Sequence, residues 1–123
     1  MSEYRDDHLY INDICESVRA IESYIEDMGY EDFISDRKTY SATIRELEII
    51  GEAVRNLSDE LKNQYPDVVW QQIKSFRNKI VHEYFGIDYT IVWDVIKNEL
   101  PILKSQILTI INVLSKYPLQ KKP

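Results

Sequence analysis

Arg77, Asn78, His82 and Tyr84 fall within eight residues of one another, in the stretch Arg-Asn-Lys-Ile-Val-His-Glu-Tyr. The arginine offers a fixed fork of donors suited to a phosphate or carboxylate. The histidine titrates near neutral pH and can take or supply a proton. Together they suit chemistry at an anionic centre that needs a proton transfer. Read singly, each has a structural role instead: Arg77 as a salt-bridge partner of Glu52 or Glu48, His82 as a helix-end residue, Tyr84 as an amphipathic packing residue. The chain has only one other histidine, His8, too far from His82 in sequence to suggest a metal pair. No His-Glu-x-x-His or Cys/His ligand spacing occurs. No glycine loop suits a phosphate, and there is no Gly-x-Ser-x-Gly.

These side chains lie on a segment patterned for burial, so the elements around them set what they can do. Residues 4–28 read as a first long helix, with Ile11, Ile14, Cys15, Val18, Ile21, Ile25 and Met28 spaced by three and four. Gly29 is expected to end it. Residues 30–36 form a connector with a helical turn, and Phe33 plugs the bundle end. A second helix runs from about Lys38 to Leu57. Its stripe is Tyr40, Ile44, Leu47, Ile50, Val54 and Leu57; Ala42, Ile49 and Ala53, near Gly51, make a second face. Two apolar faces imply packing on two sides, by the chain's own bundle or by another subunit. Gly51 costs roughly 1 kcal/mol relative to Ala inside a helix, which a close helix approach would offset. Ser58 caps a short helix to Gln64. Asp6-Asp7 and Asp59-Glu60 read as exposed charge at helix ends.

Tyr65-Pro66-Asp67 then breaks the chain. A third helix starts near Asp67 and carries Val69, Trp70, Ile73, Phe76 and Ile80, with Gly86 stopping it. Asp88 caps the fourth. Pro101 should kink or split that helix near Asn98-Glu99, and the second half runs on to Leu114. The fold class is therefore all-α: an up-and-down bundle of four long helices, the last interrupted at Pro101.

On an ideal helix five residues turn by roughly 500°, so Arg77 and His82 point about 140° apart. Asn78 and His82 share a face, and Asn78 could hold the imidazole. A site using both Arg77 and His82 needs the helix to loosen near His82, or two copies of the chain to meet.

At 123 residues the chain reads as one domain, 1–123, large enough for a real core. The single cysteine, Cys15, excludes an internal disulfide, reads as core and fits a reducing compartment. No apolar run approaches the ~18 residues of a membrane span, and the charged N-terminus does not resemble a signal peptide. The expected location is the cytoplasm. The net charge of -6 does not attract nucleic acid in bulk. Any RNA binding needs a local basic cleft or a partner; two copies of Arg77 meeting, with Lys74 and Lys79 nearby, could make such a cleft.

Arg77-Asn78-Lys79-Ile80-Val81-His82 resembles the Arg-x4-6-His motif of the HEPN superfamily, including the polar residue after the arginine. His82-Glu83-Tyr84 extends it to the His-x-Tyr form of HepT-like toxins. Ile49-Ile50-Gly51-Glu52-Ala53-Val54, Tyr65-Pro66 with Trp70, Tyr84-Phe85-Gly86-Ile87-Asp88, and Ile91-Val92-Trp93 with Leu100-Pro101 resemble the flanking blocks, in order, over nearly the whole chain. The resemblance implies a dimer whose paired motifs line one cleft. It also implies a metal-independent endoribonuclease that leaves 2′,3′-cyclic phosphate and 5′-hydroxyl ends on tRNA or mRNA. Arg77 and His82 would be catalytic and Asn78 supporting, with no cofactor for cleavage. It further implies a type VII toxin–antitoxin pair, in which a nucleotidyltransferase antitoxin uses ATP to attach AMP to Tyr84 and silence the toxin. A non-catalytic subunit that binds and regulates such a transferase is the alternative.

Overall fold

The computed structural model describes residues 3–82 and 88–116, with the backbone alone at residues 3–5 and 81–82. Every regular element among them is helical: α1 (Glu3–Tyr24), α2 (Tyr30–Ser35), α3 (Arg37–Asn56), α4 (Asp59–Gln64), α5 (Trp70–His82), α6 (Tyr89–Asp94) and α7 (Leu100–Leu114), with the π-helical turn Val95–Glu99 between the last two. The four long helices of the sequence reading are α1, α3, α5 and the α6–α7 pair.

α1 buries Ile11, Ile14, Cys15, Val18, Ile21 and the following Ile25 against the rest of the core. The three-and-four spacing thus becomes one continuous apolar face. The chain does not leave α1 at Gly29, however. Asp27 takes the left-handed conformation (φ 64°), which a short polar side chain tolerates better than most. Gly29 sits in extended backbone and caps α2 instead; its N–H donates to the Asp32 carboxylate at 3.0 Å. The cap of α3 is Asp36, whose carboxylate accepts from the Thr39 N–H at 3.2 Å and hydroxyl at 2.9 Å. These bonds, the backbone one foremost, hold the Asp36 carboxyl below its ordinary range.

Ser58 caps α4 by accepting from the Leu61 N–H at 3.1 Å. Its own N–H and hydroxyl donate to Asp7 of α1, at 2.9 and 2.7 Å. Asp7 is therefore a buried strut between α1 and the α3–α4 link, not the exposed helix-end charge its position suggested. Its two donors replace the water it gives up. α5 begins at Trp70, a turn later than the expected Asp67. Residues 65–70 are spent on a turn closed by Val68 N–H to Tyr65 O (3.2 Å) and Trp70 N–H to Val68 O (2.9 Å). The Trp70 indole N–H adds a second bond to the Tyr65 and Lys62 carbonyls at the end of α4, at 3.0 and 3.2 Å, each of which also accepts a backbone N–H.

Pro101 interrupts the last long helix as expected, and the form of the interruption is a π turn. The Leu100 N–H reaches back five residues to Val95 O. Proline has no N–H to offer its own turn, and a wider turn absorbs the mismatch.

α3 is the central element: it packs along α1 on one side and α5 on the other, while α1 also packs on α7. Tyr24 of α1 donates its hydroxyl to Glu46 of α3 at 2.9 Å; that bond, with the carboxylate's charge, raises the phenol above its ordinary pKa. Lys104 of α7 pairs with Glu22 of α1 at 3.0 Å. Phe33 is fully buried and packs on Tyr40 and Trp93, with ring centres 5.5 and 5.1 Å away. That closes one end of the bundle, as its place in the sequence suggested. At these helix positions no described segment is long and apolar enough to cross a membrane.

Candidate active site

Arg77 projects from α5 onto α3, and Gly51 is the reason it fits. A Cβ placed on Gly51 would overlap the Cβ and Cγ of Arg77 and stand 3.4 Å from its Cα. The glycine inside α3 is the close approach that its propensity cost called for. The two helices meet at the stem of the arginine, and the stem fixes where the guanidinium can reach.

The guanidinium lies against Glu52, the next residue on α3. Nη2 of Arg77 is 3.0 Å from Oε1 of Glu52. Of the two partners that the sequence offered, Glu52 and Glu48, the fold selects the one adjoining the glycine. The other oxygen of Glu52, Oε2, is 3.4 Å from Nη1 of Arg55, so one carboxylate is divided between two arginines. The Arg77 side chain is 25% exposed and that of Glu52 43%, which leaves the pair at the surface of a cleft rather than sealed in the core. The contact is close but not aligned as a hydrogen bond. Glu52 Oε1 and the Arg77 Nε–H are both buried without a hydrogen-bond partner among the described residues. Part of the donor fork is therefore unspent.

Asn78 acts on Arg77. Its amide oxygen accepts from Arg77 Nη1 at 3.3 Å, so two neighbours restrain the guanidinium, one from α3 and one from its own helix. A contact from Asn78 to His82 was the expectation from helical spacing; the His82 side chain lies outside the described residues. The backbone does answer one question. α5 remains α-helical from Trp70 through His82, so the helix does not loosen between Arg77 and His82. Tyr84 falls outside the described residues.

Arg77 lines a cleft of about 330 Å³ formed with Tyr10 and Asp13 of α1 and with Arg45, Glu48, Glu52 and Asn56 of α3. Three carboxylates and two guanidiniums border it. Lys74 and Lys79, expected to add positive charge beside Arg77, do not line it. A single copy thus presents a mixed, slightly acidic cleft; the basic cleft was an expectation for two copies together. Among the described residues no three His, Cys, Asp or Glu side chains converge on a point that could hold a metal.

Sequence reasoning missed Arg55 and the bond between Asn78 and Arg77. Arg55 follows Glu52 at i+3 on α3, the spacing of a helical ion pair, and that signal was available. The Asn78 bond joins adjacent residues, which no helical periodicity picks out.

The family model described as ribonuclease HepT-like matches residues 14–110. A proposed RNase of Methanocaldococcus jannaschii is 42% identical over 97 residues, covering 79% of this chain and 80% of the relative. A proposed ribonuclease HepT of Thermococcus cleftensis is 39% identical over 97 residues, covering 79% and 88%. A proposed RNase of Caldanaerobacter subterraneus is 37% identical over 102 residues, covering 83% and 91%. No solved structure matches the chain.

Proposed function

The chain belongs to the HepT-like ribonuclease family, and from that premise we propose that it is an endoribonuclease that cuts RNA with Arg77 and His82 and without a metal ion. The observation that carries the reading is the placement of Arg77: a guanidinium at a cleft wall, restrained by Glu52 and Asn78, with donors left over. RNA brings its own nucleophile. The 2′-oxygen attacks the adjacent phosphorus and gives up its proton, the bond from phosphorus to the 5′-oxygen breaks, and that oxygen gains a proton. The products are a 2′,3′-cyclic phosphate and a 5′-hydroxyl. His82 is the group suited to moving these protons near neutral pH. Arg77 holds the extra negative charge that builds on the phosphoryl oxygens.

Because α5 is regular through His82, joint action of Arg77 and His82 is best served by two copies of the chain, each completing the other's cleft. In the same reading the chain is the toxin of a type VII pair. A cognate nucleotidyltransferase uses ATP to add AMP to Tyr84, and the added charge and bulk oppose the substrate phosphate. The test is cleavage of RNA by the purified chain. Arg77→Ala and His82→Ala are each expected to lose at least about a hundredfold in kcat, with cyclic-phosphate ends on the parent's products. Cleavage by either variant at the parent's rate refutes the assignment. Co-expression with the transferase checks the rest: growth should be rescued, with added mass localised to Tyr84. Rescue with no covalent change would remove the modification and leave the ribonuclease.

A further inference from the structure

We propose that Glu52 is the positioning residue of Arg77: a counter-ion that fixes the guanidinium in the free protein and that RNA phosphate must displace. The inference rests on reading Arg77 as the phosphate-holding group.

Three observations carry it. First, Glu52 is the one carboxylate paired with Arg77 among the described residues, at 3.0 Å, and it is placed by the close approach of α3 and α5 at Gly51. Second, the pairing is incomplete. Arg77 Nε and Glu52 Oε1 are buried with no aligned partner, so the guanidinium is located without being satisfied. An oxyanion that takes up the unspent donors gains bonds that Glu52 does not supply. Third, Glu52 has somewhere to go. Arg55 already stands 3.4 Å from its other oxygen, and both side chains are more than two-fifths exposed. When phosphate reaches Arg77, the carboxylate can pass wholly to Arg55 without being stranded unpaired.

Glu52 then has two effects of opposite sign. Through the oxygen 3.0 Å from Nη2 it holds Arg77 in the orientation that the reaction uses. As a negative charge it competes with RNA and holds affinity down. The two separate by substitution. Glu52→Gln keeps a polar side chain of the same shape against the guanidinium and removes the charge. Glu52→Ala removes both. In neither case is a residue that touches the substrate altered.

The experiment uses the full chain and follows RNA cleavage alongside the Arg77 Nε–H resonance in a ¹⁵N–¹H spectrum, identified by its loss in Arg77→Lys. For Glu52→Gln, KM is expected to fall severalfold with kcat within about threefold of the parent. For Glu52→Ala, kcat is expected to fall by roughly 10- to 100-fold through misplacement of the arginine. The Nε–H should then exchange faster with water than in the parent. An unchanged or raised KM in Glu52→Gln overturns the competing-charge role. Equal kcat in Glu52→Ala and Glu52→Gln overturns the positioning role. If the parent cleaves no RNA, the ribonuclease reading fails, and the spectrum still decides the inference with inorganic phosphate as the probe. Phosphate should perturb the Nε–H at lower concentration in Glu52→Gln than in the parent; equal titrations in the two proteins refute it.

Discussion

Replacing Gly51 by alanine sets two physical effects against each other, and the structure fixes which wins. Gly51 lies inside α3. On propensity alone, Gly51→Ala should stabilise the protein by about 1 kcal/mol. The added Cβ, however, overlaps the Cβ and Cγ of Arg77. These are the root of that side chain, fixed to α5, and no rotamer change moves the Cβ away. α3 and α5 must separate locally, and overpacking of this kind costs about 1–3 kcal/mol. The net expectation is a loss of about 1 kcal/mol, or a fall in Tm of roughly 3–5 °C for a chain of this size. Thermal and urea unfolding of parent and variant measure it. A double-mutant cycle isolates the cause: in an Arg77→Gly background the obstacle is gone, so Gly51→Ala should turn from destabilising to neutral or stabilising. A variant as stable as the parent, or more so, in the Arg77 background refutes the close-approach argument. The same outcome would weaken the claim that α3 sets the position of the guanidinium.

Two further outcomes follow from particular groups. Thr43 is fully buried on α3 and its hydroxyl has no partner among the described residues. Thr43→Val keeps the shape and removes the unsatisfied group, so it should raise stability by about 1 kcal/mol in urea unfolding; a loss would mean that the hydroxyl has a partner after all. Asp36 and Asp88 cap α3 and α6, and both carboxyls are held below their ordinary range by bonds from Thr39 and Thr90. A carboxyl depressed on folding adds stability that is present above its unfolded pKa of about 3.9 and is lost as pH falls below it through the folded value. Tm should therefore fall from about pH 4 downward. Asp36→Asn and Asp88→Asn should flatten that fall, and unchanged acid profiles in both would contradict the capping roles.

Much of the fold was legible because burial follows periodicity. The α1 face, the α3 stripe and the plug at Phe33 are all direct readings of apolar spacing. The cap residues Ser58 and Asp88 were also legible, since their chemistry is local. The misses involve choices among equally local options. Gly29 was the natural helix stop, yet Asp27 makes the reversal, and which of two nearby residues turns the chain depends on where α2 must dock. Asp7 looked like surface charge because its partner, Ser58, is 51 residues away. At the site, the Gly51-Glu52 pair was readable as a close approach and an ion-pair candidate. What the sequence could not rank was Glu52 against Glu48, a choice made by which turn of α3 meets Arg77.

The acidic balance of the chain bears on how the proposed site can work. A net charge of -6 and a cleft with three carboxylates to two guanidiniums give RNA little reason to gather at Arg77 by long-range attraction. Under the proposed function, selection must then come late, at contact. A phosphate has to arrive by shape or by juxtaposition with a second copy, and then take Arg77 from Glu52. Few phosphates would be neutralised in such a complex. Cleavage should accordingly depend only weakly on salt, since each neutralised phosphate adds close to one unit to the slope of log affinity against log salt, about 0.7 on a single strand. Indiscriminate RNA binding is the hazard of a basic ribonuclease surface, and an arginine already held by its own carboxylate avoids it. Under the proposed function, the ion pair that looks at first like an obstacle to catalysis would serve it, ordering the guanidinium beforehand and setting a threshold that only a well-placed phosphate passes.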